Sequence, residues 1–240
     1  NFDEYTAFEF DEELLQIKNT WDIFALNDKA IQQDFNLITE DRTSQPIPEG
    51  VQVINKENIF IEEGAKLTFA TLNATDGPIY IGKNAEIMEG CVVRGALAMC
   101  ESSVLKLGAK IYGATTLGPF CKVGGEVNNS VLMGYSNKGH DGFLGNSVLG
   151  EWCNLGADTN NSNLKNNYAE VKLWSYETGR FAKTGLQFCG LIMGDHSKCG
   201  INTMFNTGTV IGVSANIFGS GFPRNFVPSF SWGGASGFTE

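Results

Sequence analysis

The segment IGKNAEIMEGCVVRGALAMCESSVLKLGAKIYGATTLGPFCKV, residues 81–123, carries an aliphatic side chain at every sixth position: Ile81, Ile87, Val93, Met99, Leu105, Ile111, Leu117 and Val123. An α-helical face recurs at i+3, i+4 and i+7, and a strand face at i+2, so neither produces this spacing. A six-residue period belongs to a parallel β-helix, an all-β solenoid of short flat strands joined by turns. Each coil buries its apolar residues only by stacking on the next. With three hexads to a coil, residue i lies above residue i+18. Ile81, Met99 and Leu117 then form one interior stack, and Ile87, Leu105 and Val123 another.

Outward from this segment the pattern weakens in both directions. Hexads begin around Ile61 and Leu67 and pause at the turn from Thr75 to Pro78. From Glu126 to Gly145 the ladder loosens; it returns at Leu149 and Leu155, and again at Met193, Cys199, Phe205, Ile211 and Ile217. Gly82, Gly118, Gly124, Gly150, Gly156, Gly194, Gly200 and Gly212 each follow an apolar residue, where a coil corner favours a residue without Cβ. Between Asn161 and Gly185 the period is lost among Tyr168, Trp174, Tyr176 and Arg180, which do not fit a narrow interior. The expected organisation is a solenoid over residues 51–220 with an extruded loop at 161–185. It is preceded by a helical connector at 1–50 and closed by a capping tail at 221–240, rich in Phe, Pro and Gly. The abrupt acidic start suggests that the connector follows an upstream domain.

The chain of 240 residues has 17 basic and 27 acidic residues, a net charge of −10. The acidity is concentrated in residues 1–45, and the stretch from Asn161 to Arg224 is net basic. Overall acidity argues against nucleic acid as a partner, while the basic stretch suits a phosphorylated small ligand. No apolar run approaches the roughly 18 residues of a membrane span, and Asn1 does not open a signal peptide. The six cysteines show no paired spacing and are expected to be free thiols in a reducing cytoplasm.

Only two histidines are present, His140 and His196. His140 lies in GYSNKGHDGFLG, residues 134–145, just ahead of the asparagine-rich NLGADTNNSNLKNN, residues 154–167. An imidazole, with its ordinary pKa near 6.5, suits a general base acting on an amine. His196 reads as part of a turn. Two histidines cannot supply the three zinc ligands of the carbonic anhydrase built on this kind of solenoid.

The stretch SNKGHDGFLGNSVLGEWCNLGADTNNSN, Ser136 to Asn163, resembles the hexapeptide acyltransferase superfamily, whose coils wind left-handed. In detail it is similar to the acetyltransferase half of the bifunctional N-acetylglucosamine-1-phosphate uridyltransferase and glucosamine-1-phosphate acetyltransferase family. The shared pattern is His, an aromatic three residues on, Asn in an N-[IL]-G-A step, and a further Asn; the resemblance spans about residues 50–220. It implies a catalytic base at His140, sugar contact at Phe143, and amide contacts at Asn154 and Asn163. It also implies a glutamate at Glu126 and a backbone hold on the coenzyme at Ala215. Where the family carries Lys, this chain has Asn128, so the phosphate charge would fall to Lys110, Lys138, Lys165 or Lys172.

The implied reaction is acetyl transfer from acetyl-CoA, as co-substrate, to the amine of an amino-sugar 1-phosphate in UDP-N-acetylglucosamine synthesis. The resemblance further implies a homotrimer with the 161–185 loop reaching a neighbour. Trp21-Asp22-Ile23-Phe24 and Asn27 resemble the connector behind that family's uridyltransferase domain, where Mg would act. The glycine-rich nucleotide loop and metal-binding aspartate of that domain are absent from this sequence. A different reading keeps the solenoid non-catalytic, as an oligomerising or regulatory appendage of a sugar-1-phosphate nucleotidyltransferase of the glucose-1-phosphate thymidylyltransferase kind. His140 in its motif and the basic loop are features that oligomerisation does not require.

Overall fold

The computed structural model describes residues 14–239, and from Gln52 onward the chain winds into a parallel β-solenoid of about ten turns. Its three faces are sheets of six, nine and ten strands, each built by the same side of successive coils. The hexad phase is the observed one. On the nine-stranded face Ile81 pairs with Met99 and Met99 with Leu117, and the stack continues through Leu132, Leu149, Met193, Ile211 and Val227. The ten-stranded face stacks Leu67, Ile87, Leu105 and Val123, and the six-stranded face stacks Val53, Leu72, Val93, Ile111, Val127 and Leu144. Nearly all of these side chains are fully buried, and each such aliphatic group contributes about 1.5–3 kcal/mol relative to exposure.

The corners explain the glycines. None of the eight that follow an apolar residue has a positive φ. Close coil approach requires most of them instead: a Cβ on Gly156 would fall 2.4 Å from the Gly200 carbonyl carbon, whereas one on Gly200 would meet nothing within 3.5 Å. The left-handed residue comes two positions later and is usually not glycine. Asn84, Ser102, Phe120, Tyr135, Trp152, His196, Ser214 and Phe230 form one column with φ between 55° and 63°. Each of their N–H groups donates to a carbonyl of the preceding coil, which offsets the strain of that conformation. The rings of Phe120, Tyr135, Trp152 and His196 stack along this corner at centroid spacings of 5.2, 4.6 and 6.2 Å.

The outside of the nine-stranded face is covered. Helices α1 (Asp22–Ala25) and α2 (Asn27–Thr39) lie along it, with Ile31 against Ala96, Ala98 and Ala114. Asn27 is tied at both ends of its amide, to the Ala114 carbonyl at 2.9 Å and the Thr116 hydroxyl at 2.8 Å. Arg42 then clamps Glu62 through two 2.7 Å hydrogen bonds. Beyond Asn161 the chain leaves the coil and forms an antiparallel hairpin, Lys172–Ser175 with Arg180–Lys183. It turns back onto its own solenoid, where Val171 and Leu173 are buried with Phe24, Val148, Ile192 and Val210. Coils continue past residue 220, since Phe226–Val227 still pairs on the nine-stranded face. A closing hairpin, Trp232–Gly234 with Gly237–Thr239, edges the ten-stranded one. All six cysteines are free and five are buried. Among the described residues no helix is long and apolar enough to cross a membrane.

Candidate active site

Two irregular coils set the site. The step along the nine-stranded face falls from 18 residues, Met99 to Leu117, to 15, Leu117 to Leu132, and then 17, Leu132 to Leu149. His140 stands exposed on the corner of this region, between the strand Asn137–Lys138 on the ten-stranded face and Phe143–Gly145 on the six-stranded face. It therefore borders two surfaces at once.

On the ten-stranded side lies a groove of about 420 Å³ lined by Lys106, Lys122, Asn137, His140, Asn154 and Ala157, among others. Gly139 and Gly156 line it too, so part of its floor carries no side chains. Lys122, Asn137 and Asn154 are in direct register on successive coils, and no ion pair engages Lys106 or Lys122 among the described residues. On the six-stranded side, Lys110, Glu126 and Phe143 are likewise in register. Tyr112 donates to Glu126, which with partial burial pushes the phenol up to about 12. Asn128 donates to the Tyr112 carbonyl at 3.1 Å, and Asn163 donates to the Asn146 side chain at 2.8 Å.

The residues expected from sequence divide accordingly. Asn154 shares the groove with His140. Lys110, Glu126, Asn128 and Phe143 line the adjoining face, and Asn163 follows the same coils. Four others are engaged elsewhere. Lys138 is 2% exposed, and its Nζ donates to the carbonyls of Gly124 and His140, both at 2.9 Å, so it cannot also meet a phosphate in solvent. Burial pushes its pKa down to about 8. Lys165 donates to the Glu170 carbonyl at 2.9 Å, and Lys172 sits on the hairpin that packs over the nine-stranded face. Ala215 is an interior residue of the opposite corner, with its N–H given to Ser197 and its carbonyl taking the Lys198 N–H. Its N–H is therefore not free to hold a coenzyme.

Lys106, Lys122 and Asn137 line the groove without belonging to the motif. The signal was present, because Lys106 follows Leu105 and Lys122 precedes Val123 in one interior stack. Extending that stack to Lys138 required knowing that the coil shortens.

A sugar nucleotidyl transferase family profile matches residues 1–43, ahead of the first coil. No curated protein matches the sequence. Solved structures similar to this chain include the polysialic acid-specific acetyltransferase NeuO, 11% identical, covering 79% of this chain and 83% of that one with a TM-score of 0.40. The Arabidopsis UDP-N-acetylglucosamine acyltransferase is 15% identical, covering 78% and 70%, at a TM-score of 0.42. A point mutant of AntD, an N-acyltransferase from Bacillus cereus in complex with dTDP and coenzyme A, is 12% identical, covering 76% of each chain, at 0.27.

Proposed function

We propose that this chain is an acyltransferase that moves an acetyl group from acetyl-CoA to the amine of an amino-sugar phosphate, glucosamine-1-phosphate being the acceptor the motif favours. The observation that carries this reading is the position of His140, exposed on the edge of a groove that also holds two lysines without an ion pair among the described residues and two asparagine amides. His140 takes a proton from the acceptor nitrogen as that nitrogen attacks the thioester carbonyl carbon. The tetrahedral oxyanion is met by amide N–H donors such as Asn154 or Asn137. The carbon–sulfur bond then breaks, and the imidazolium returns its proton to the departing thiolate. Lys106 and Lys122, rather than Lys138, Lys165 or Lys172, would meet the acceptor's phosphate together with Lys110 on the adjoining face.

The proposal includes a homotrimer. The nine-stranded face is covered by the chain's own helices and hairpin, so side-by-side packing would use the two faces that meet at His140. Sedimentation at micromolar concentration tests this, a monomer counting against it. The chemistry is tested by thiol release from acetyl-CoA against a panel of amino-sugar phosphates. Release that depends on an amine and a phosphate in the same acceptor is the expected result. Absence of turnover with every acceptor would return the non-catalytic reading to first place.

A further inference from the structure

The interior stack of the ten-stranded face is apolar at Leu67, Ile87, Leu105 and Val123, and resumes as Leu155, Cys199 and Ile217. Between Val123 and Leu155 the stacked residue is Lys138. The coil beneath explains how a lysine fits there. In the regular coil the chain passes from Leu105 to Lys110 through Lys106, Leu107, Gly108 and Ala109. Ala109 is fully buried in the corner, and its N–H donates to the Lys106 carbonyl at 3.1 Å. One coil on, Val123 reaches Glu126 through Gly124 and Gly125 alone, although both ends still pair in register, Val123 with Leu105 and Glu126 with Lys110. Two residues are missing, and with them the small corner side chain and the turn N–H that would satisfy the Gly124 carbonyl.

Lys138 supplies both. Its stem occupies the stack, and its Nζ donates to the Gly124 carbonyl on one coil and the His140 carbonyl on its own. Gly125, at φ +70°, leaves room for this: a Cβ there would stand 2.8 Å from Nζ. Leucine or methionine would fill the same space without the expense of desolvating an ammonium, so the donors, and not the volume, single out lysine.

We propose that Lys138 is a positioning residue for His140, its buried ammonium fixing the backbone of the Gly139–Gly142 corner and thereby the place of the imidazole at the groove. The proposal rests on His140 being the base. Burial lowers the Lys138 pKa, and the carboxylates of Asp141, Glu126 and Asp158 hold it up against Lys110, so the ammonium persists at neutral pH.

The test is a double-mutant cycle on the full chain with acetyl-CoA and glucosamine-1-phosphate, using Lys138→Met, His140→Ala and both together. Lys138→Met keeps the length and removes the donors. It should lower kcat by about 10-fold to 100-fold, the scale of a misplaced catalytic group, with KM for acetyl-CoA nearly unchanged. In the His140→Ala background it should cost nothing further. Equal losses in both backgrounds, or full activity in a folded Lys138→Met, would overturn the proposal. Full activity in His140→Ala would instead overturn the base assignment and leave Lys138 to a second measurement. In the wild-type protein the Lys138 ammonium should exchange with solvent far more slowly than the surface lysines by nitrogen NMR and correlate with the His140 and Gly124 carbonyls. Exchange as fast as a surface lysine would refute the contact itself. Lys138→Arg, which keeps donors, should retain more activity than Lys138→Met.

Discussion

The coils of residues 61–123 and those of residues 124–163 are built on one plan and filled differently. In the first region the inward positions are aliphatic or small, with Ser103 and Thr115 the buried polar exceptions. In the second, Ser130, Ser136, Lys138, Asn146, Ser147, Thr159 and Asn161 are all buried. Asn161, paired with Phe205 in a two-stranded sheet beyond the end of the six-stranded face, accepts from the Gly145 N–H at 2.9 Å and donates to the Gly145 carbonyl at 3.1 Å. Every one of these buried side-chain polar atoms has a hydrogen-bond partner. An apolar interior resists water but holds a corner only by packing; hydrogen bonds hold it in direction as well. The regular coils supply the scaffold, and the irregular ones aim His140.

The largest effect should come from breaking the regular half. Leu117 is fully buried between Met99 and Leu132, so Leu117→Asp places a carboxylate without a partner inside the stack. Destabilisation of about 3–5 kcal/mol is expected by urea unfolding. Unchanged melting would contradict the stack itself.

Breaking the irregular half should remove function with little loss of stability. His140 is exposed, and His140→Ala should lower acetyl transfer by roughly 100-fold, the scale of a lost general base. The melting curve should stay where it is. A comparable loss of stability would mean that the corner is structural and would erase the distinction between the two regions.

The regular half was legible because one physical constraint, a six-residue period, repeats without interference; Ile81, Met99 and Leu117 stack as the period requires. The irregular half was legible only as a motif. Lys138 is a lysine by composition and suits a ligand contact, whereas the loss of three residues between Val123 and Lys138, two at Gly124–Gly125 and one between Val127 and Leu132, turns it inward. The resemblance also points to Ala215, which is buried at the corner between the nine- and ten-stranded faces. Periodicity fixes which residues face in while the coil length is constant, and a shortened corner resets that phase for everything after it. The helices α1 and α2 could be anticipated from their spacing, but their resting place over Ala96, Ala98 and Ala114 depends on small outward residues that no period marks.

A subtler break uses pH. Lys138 has a folded pKa of about 8, below the ordinary 10.5, so between these values the unfolded chain holds the extra proton and the residue's contribution to stability rises with pH. The buried thiols act in the opposite direction. Burial raises Cys121 and Cys153 to about 11 and Cys189 to about 12 from 9.0, so their contribution falls as pH climbs above 9. The difference between wild type and Lys138→Met cancels the thiols. Measured by urea unfolding from pH 7.5 to 10, it should move steadily in favour of wild type. A flat difference would mean that burial does not lower the Lys138 pKa.

The smallest effect should be at the other histidine. His196 lies in the column of left-handed corners between the nine- and ten-stranded faces, at φ 59°, with its ring on Trp152 and its N–H given to the Glu151 carbonyl. It is not among the residues lining the His140 groove. His196→Ala should therefore change acetyl transfer by less than about twofold and cost no more than about 1 kcal/mol, the worth of one ring contact. His196→Gly makes the contrast sharper, because glycine enters the left-handed region freely while any residue with a Cβ is strained there by about 1–2 kcal/mol. If His196 serves only the corner, the glycine variant should be at least as stable as the alanine variant, with both retaining activity. A large loss of transfer in both would place a second functional histidine on the aromatic corner and remove the irregular coils' claim to be the one site.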